Sequence, residues 1–178
     1  MKELVEKLLF LSRHDKKTLY LNRARFNMGH TVEEMVKETR MVEKHRRIEA
    51  PVLEDVMVYG DEQALKQAIR VFIDNAIKYT ADGDTIRISC KNQEGTCIII
   101  IEDTGIGMKK EEIKQIFERF YRADSVRNGG VEGHGLGLSI AKLIILKHVG
   151  TIRVRSQFEK GSKFTIVLPD YYSQGFLK

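Results

Sequence analysis

The chain has no tryptophan, two prolines and two cysteines in 178 residues, and each shortage closes off a class of protein. Cys90 and Cys97 are too few for a disulfide framework or for the four ligands of a structural zinc site, so they read as reduced, buried thiols of a cytoplasmic protein. The sequence is 42% hydrophobic and 31% charged, with no low-complexity linker, which excludes an extended disordered class. No apolar run exceeds the five residues from Cys97 to Ile101, whereas a spanning helix needs about 20. The N-terminus also lacks the apolar stretch of a signal peptide, so no membrane contact is expected from this chain. Charge of one sign is scarce too. Thirty Lys and Arg against 25 Asp and Glu leave a net charge of +5, scattered except at His45-Arg46-Arg47, and no nucleic-acid face is expected.

What is there fits one domain with a short appendage. Leu4, Val5, Leu8, Leu9 and Leu11 mark one apolar face of a helical stub with nothing local to pack on. Alternation over Thr18–Phe26 predicts a strand. A helix is expected from Met28–Thr31, with Thr31 as cap and Glu34 as its box partner, to near His45. Short strands follow at Arg47–Ala50, stopped by Pro51, and at Val56–Tyr59. Asp61 then caps a helix from Glu62 to about Tyr79, whose stripe of Leu65, Ala68, Ile69, Phe72, Ile73, Ala76 and Ile77 has helical period. Two hairpins complete the pattern: Thr85–Asn92 with Thr96–Glu102, and Gly150–Gln157 with Lys163–Leu168. The class is α+β, with helices stacked on one face of a mixed, mostly antiparallel sheet.

Glycine carries the first functional signal. Seven of the 14 glycines fall in two groups: Gly105 and Gly107, then Gly129, Gly130, Gly133, Gly135 and Gly137. The second group runs directly into an apolar helix that includes Ile140, Leu143 and Ile144, a junction that aims free backbone N–H groups at an anion. The first follows a buried strand that ends at Asp103, whose carboxylate can accept from an exocyclic amine. Asn75, Lys78 and Tyr79 share the edge of the long helix. There an amide oxygen suits Mg²⁺, an ammonium suits phosphate and a ring offers a surface to a base. Between the glycine groups, Phe117, Arg119, Phe120, Tyr121 and Arg122 cluster ahead of a stretch, Ser125–Gly133, almost without large apolar side chains, which reads as a lid.

In this order, these elements resemble the catalytic and ATP-binding domain of bacterial sensor histidine kinases, of the superfamily shared with DNA gyrase and MutL. Asp74-Asn75-Ala76-Ile77-Lys78-Tyr79-Thr80 is similar to the family's N box and Asp103-Thr104-Gly105-Ile106-Gly107 to its first glycine box. Phe117-Glu118-Arg119-Phe120-Tyr121 resembles the F box, Gly133-His134-Gly135-Leu136-Gly137-Leu138 the second glycine box, and Gly161-Ser162-Lys163-Phe164 the last, with Ser162 where Thr is usual. The resemblance implies a two-layer α/β sandwich of the Bergerat type over residues 16–172. Residues 1–15 would be the end of the second helix of a dimerisation and phosphoacceptor hairpin, and 173–178 a tail.

By the same resemblance Asn75 coordinates Mg²⁺, Lys78 reaches the phosphates of ATP, Tyr79 packs by the adenine, and Asp103 accepts from its amino group beside Gly105, Ile106 and Gly107. Phe117, Tyr121 and Ser162 border the nucleotide, Gly133, His134, Gly135, Leu136, Gly137 and Leu138 form the phosphate loop, and Arg119 and Arg122 approach the triphosphate. Val71 departs from the pattern, standing where the family often has a polar residue and its hydrolytic relatives an acid. This argues against efficient ATP hydrolysis and for transfer to a better nucleophile. His14-Asp15-Lys16-Lys17-Thr18 superficially matches the phosphoacceptor pattern, but Leu19 replaces the proline and a strand follows at once. The implied activity is transfer of the ATP γ-phosphoryl group to a histidine on a separate dimerisation domain of the same parent protein, with a response regulator downstream. The resemblance implies a cytoplasmic location for this domain, in a family whose members include parents anchored in the inner membrane. A protein-serine kinase of the superfamily and a nucleotide-sensing module without transferase activity are the alternatives.

Overall fold

Two helix caps and two hairpins set most of the architecture. A computed structural model of the chain describes residues 20–122 and 134–169. The helical stub at residues 2–14, the lid stretch at residues 125–133 and the C-terminal tail lie outside the described residues. β1 (Ala24–Asn27) leads into α1 (Met28–Val42), followed by β2 (Arg47–Glu49), β3 (Met57–Gly60) and α2 (Glu62–Lys78). β4 (Thr85–Gln93) and β5 (Thr96–Asp103) form the first hairpin. After a one-turn helix, α3 (Lys110–Ile113), come α4 (Gly137–Lys147) and the second hairpin, β6 (Thr151–Gln157) and β7 (Gly161–Leu168).

Asp61 caps α2 as its sequence suggests, accepting from the Ala64 amide at 3.0 Å, with Glu62 in the first turn and Lys78 in the last to complement the helix dipole. The cap of α1 is not Thr31. Asn27 Oδ1 accepts from the Gly29 and His30 amides, so the cap lies four residues earlier, and the Thr31 hydroxyl donates instead to Asn27 O and to Glu62 Oε1 at 2.7 Å. α1 also ends at Val42 rather than near His45. The Glu43 carboxylate takes the His45 and Arg46 amides and turns the chain out of the helix. Among the described residues of the strand expected over Thr18–Phe26, pairing begins at Ala24. Ahead of it the Asn22 amide is held by a side chain, Asp61 Oδ2 at 2.9 Å, instead of by a ladder.

The main sheet has the order β2-β4-β5-β7-β6, parallel at β2–β4 and antiparallel elsewhere. Period-two alternation puts Ile86, Ile88 and Cys90, Cys97, Ile99 and Ile101, and Phe164, Ile166 and Leu168 in the core. They meet the stripe of α2 and the buried side of α4, Ile140, Ala141, Ile144 and Ile145. Each such side chain withdrawn from water contributes roughly 1.5–3 kcal/mol. Phe72 of α2 reaches across to Phe164, ring centroids 5.1 Å apart. The expected two-layer arrangement is present, with one addition: β1 and β3 do not join the main sheet but form a separate antiparallel ribbon.

α2 and α4 run antiparallel. His148, at the end of α4, sits on Asp61 at the start of α2, while a Cβ on Gly137, at the start of α4, would lie 3.2 Å from Val71. The C-terminal turn of α2, the loop after β5, the β6–β7 turn and the approach to α4 therefore collect at one end of the helix layer.

Candidate functional site

The site begins at the last turn of α2. Asn75, Lys78 and Tyr79 are half-buried there. The Lys78 ammonium lies 5.4 Å from the centroid of the Tyr79 ring, a cation–π distance. Burial pushes the Tyr79 phenol above its ordinary range and the charge of Arg122 pulls it back, which brings the end of the F-box segment to the same corner. The Tyr79 carbonyl accepts from the Ile106 amide at 3.0 Å, laying the first glycine loop across the end of the helix. Gly105 makes that approach possible: a Cβ there would stand 2.1 Å from Tyr79 O, so any side chain would push the loop away.

Asp103, the last residue of β5, is 7% exposed. Its Oδ1 accepts from the Gly105 amide at 2.9 Å and from the Ser162 amide at 3.3 Å. Among the described residues no donor reaches Oδ2. Burial is the chief reason its carboxyl is pushed up to about 6; the two amides oppose that rise, while Asp84 and Glu102 add to it. The second hairpin closes the corner. The Glu159 amide donates to Ile106 O at 2.7 Å, and the Ser156 hydroxyl takes the Met108 amide at 2.8 Å and lies 3.0 Å from the Ser162 hydroxyl.

The F-box segment and the second glycine loop are tied together by backbone. The Phe120 amide donates to Gly135 O at 2.9 Å. Gly135 has φ +68°, and a Cβ there would stand 2.7 Å from Phe120 C and Tyr121 O. Phe120 itself has φ +64° and is 59% exposed. Leu136 is fully in the core, so this residue offers a ligand its backbone alone. His134 is exposed and Gly135, Gly137 and Leu138 are half-buried. Gly133 lies outside the described residues.

The structure thus brings Asn75, Lys78, Tyr79, Asp103, Gly105, Ile106, Gly107, Ser162 and Arg122 to one end of the helix layer. Phe117 and Arg119 stand differently. They border a groove of about 400 Å³ with Glu118, Ser139, Lys142, Leu143 and Leu146, with the Lys142 ammonium 5.3 Å from the Phe117 ring centroid, and neither Asn75 nor Asp103 lines it. Two supporting residues escape a reading by motif. Ser156 pins both the first glycine loop and Ser162, and Arg46 donates to Thr80 O at 2.8 Å, anchoring the chain just past Tyr79. Arg46 sits in the small basic cluster that reads as solvated charge, and nothing in its neighbours signals a buried acceptor 34 residues away.

Comparison with known proteins gives the same picture. The model of the histidine kinase-, DNA gyrase B-, and HSP90-like ATPase family matches residues 60–172. The sensor protein SrrB of Staphylococcus aureus is 45% identical over 109 residues, 61% of this chain and 19% of that protein, so the matched stretch is about a fifth of the relative's length. Among solved structures, the Acinetobacter baumannii histidine kinase AdeS superposes with a TM-score of 0.75 at 30% identity, over 96% of this chain and 78% of that one. The mycobacterial sensor histidine kinase MprB superposes with a TM-score of 0.71 at 28% identity, over 83% and 97%.

Proposed function

This chain belongs to the histidine kinase-, DNA gyrase B-, and HSP90-like ATPase family, among the sensor histidine kinases, and from that premise we propose that it binds Mg-ATP and donates the γ-phosphoryl group to a histidine borne by a separate dimerisation domain of its parent protein. The product would be passed to a response regulator in the cytoplasm. In this reading residues 16–172 are the ATP-binding unit, 1–15 the end of the hairpin and 173–178 a tail.

One observation carries the nucleotide assignment. Asp103 is a buried carboxylate with one oxygen held by two amides and the other without a donor among the described residues, so a ligand amine supplies what the protein does not. The exocyclic amine of adenine fits it, with the ring bounded by Ile106 and Tyr79. Lys78 and Arg122 neutralise phosphate charge, and the loop through Gly135 and Gly137 offers amide donors at the start of α4. Asn75 fits Mg²⁺ as a hard amide oxygen. Among the described residues no three His, Cys, Asp or Glu side chains converge, which suits an ion that keeps its waters and the substrate phosphates as its other ligands. Bound there, Mg²⁺ would withdraw charge from the phosphates. Val71, one turn before Asn75, packs at Gly137 and has no group to activate water. The chain's own residues position and neutralise the triphosphate and leave the nucleophile to the histidine.

Calorimetric titration of ADP and a non-hydrolysable ATP analogue, with and without Mg²⁺, tests this. The expected Kd is micromolar, about −8 kcal/mol, and the Asp103→Asn chain should bind at least tenfold more weakly. Absence of binding to the folded wild-type chain sinks the assignment. Transfer is tested by adding the histidine hairpin and looking for an acid-labile, base-stable phosphoprotein; an acid-stable product would point to serine.

A further inference from the structure

At the end of the helix layer remote from Asn75 and Asp103, the imidazole of His148 joins the two helices. His148 caps α4 and is 9% exposed. Its Nε2 lies 2.9 Å from the Asp61 amide and its Nδ1 2.7 Å from Ile144 O. An amide can only donate, so Nε2 accepts and Nδ1 carries the hydrogen. One neutral tautomer satisfies both bonds, and protonation destroys the first. The ring rests directly on the end of β3 just ahead of the α2 cap, since a Cβ on Gly60 would lie 2.5 Å from its Cδ2.

The chain entering from its N-terminal side is fastened at the same point. The Asn22 amide donates to Asp61 Oδ2 at 2.9 Å, and the Arg23 guanidinium donates to Lys147 O at 2.7 Å, one of the last carbonyls of α4. Asp61 therefore receives the strap on one oxygen while capping α2 with the other. The charged groups acting on the ring are Asp61 from α2 and Arg23 from the strap, with Lys147 beside it on α4. Burial and Arg23 hold the imidazole below its ordinary value, against Asp61 and the Ile144 carbonyl.

The two helices are thus in contact at both ends, through Val71 and Gly137 near the glycine loop and through His148 and Asp61 at the far end. We infer that His148 is a positioning residue for the nucleotide site: by fixing where α4 ends on α2 it sets the separation of the Asn75–Tyr79 turn from the glycine loop, and Asn22 with Arg23 straps it in place. The inference rests on the nucleotide reading of the near end. Fourteen residues separate Asp61 from Asn75, about 21 Å of helix, and packed helices carry a displacement over that span because their interface repacks in discrete steps rather than deforming. The position of the incoming chain at Asn22–Arg23 is therefore coupled to nucleotide affinity.

Reciprocity of coupling supplies a test that a merely structural histidine would not pass. In the full chain, the His148 imidazole is titrated by NMR with and without saturating ADP, and ADP affinity is measured by calorimetry at 15 °C, below any melting, for wild type, Arg23→Ala and His148→Phe. With ADP bound, His148 should titrate at a pH lower by half a unit or more, about a threefold change in proton affinity, and both variants should bind ADP about fivefold more weakly. If wild type binds ADP but His148 titrates identically in both states, and Arg23→Ala binds within twofold of wild type, the coupling does not exist, whatever the variants' melting temperatures. If wild type fails to bind ADP, the nucleotide reading itself falls and this inference with it. Should His148→Phe not fold, the wild-type titration and Arg23→Ala decide the matter.

Discussion

The two corners of the site are built by different means. At Asp103 the chain is bound by cross-links between three elements: the Asp103 carboxylate to the Gly105 and Ser162 amides, Tyr79 O to the Ile106 amide, and Ile106 O to the Glu159 amide. At the F-box corner the described backbone tie between the two segments is the bond from Phe120 to Gly135, beside the exposed Glu118, Arg119 and Phe120. The first corner admits one arrangement and can read the shape and donor pattern of a ring. Under the proposed function, the second would suit a segment that closes over phosphates and opens again. In the proposed function, recognition would sit where the backbone is over-determined and gating where it is less so.

Gly105→Ala should break the rigid corner outright. A Cβ placed 2.1 Å from a backbone oxygen cannot be relieved by a rotamer, so the glycine loop must lift off Tyr79. A loss of about 3 kcal/mol or more is expected, read as a lower denaturant midpoint together with loss of ADP binding. A chain that melts and binds as wild type does would show that the loop is not pinned.

Asp103→Asn separates recognition from architecture at the same corner. The amide oxygen can keep both backbone bonds at Oδ1, while the NH₂ replaces the free oxygen and meets the adenine amine donor to donor. Stability should stay within about 1 kcal/mol of wild type, because the lost charge was costly to bury, and ADP affinity should drop by tenfold or more. Equal losses of stability and affinity would mean that Asp103 holds the loop rather than the base.

This contrast also explains what the sequence disclosed. The α2 cap at Asp61, its apolar stripe and both hairpins follow from local period and capping chemistry, and the close loop contacts at Gly105 and Gly135 from glycine spacing, because such backbone approach leaves no other residue type. The Asn27 cap was hidden because Thr31 and Glu34 offer an equally good local pattern; only the Glu62 carboxylate, distant in sequence, draws the Thr31 hydroxyl away. The detached β1–β3 ribbon, Ser156, and Arg46 at Thr80 depend on tertiary partners and leave no mark on their neighbours.

Acid should loosen recognition before it loosens the fold. Asp103 titrates near 6 in the folded chain against an ordinary value of 3.8. The native state takes up the proton first, so this group's contribution to stability falls as pH rises from about 4 to 6 and is lost above that. His148, held below its ordinary value by burial, acts in the opposite sense, contributing stability that fades as pH drops below about 6.5. Melting curves therefore mix the two, whereas in ADP affinity the His148 share, about threefold for a half-unit coupling, is read separately from the Asp103→Asn chain. Because the amides occupy Oδ1, the proton goes to Oδ2 and turns the acceptor into a donor. Affinity should fall about tenfold from pH 7 to pH 5 in wild type and much less in Asp103→Asn, which also controls for titration of the ADP phosphates.

The smallest effect is expected at the loose corner. Phe120 is 59% exposed and holds φ +64°, a left-handed conformation that costs an L-residue about 1–2 kcal/mol. Glycine removes that cost and gives back part of the gain through the greater freedom of the unfolded chain. Phe120→Gly should therefore raise stability by about 0.5–1 kcal/mol, seen as a higher denaturant midpoint at unchanged slope, and leave ADP affinity within twofold. A loss of stability instead would mean that the ring packs on a partner that outweighs the strain, and the F-box corner would then be as tightly determined as the corner at Asp103.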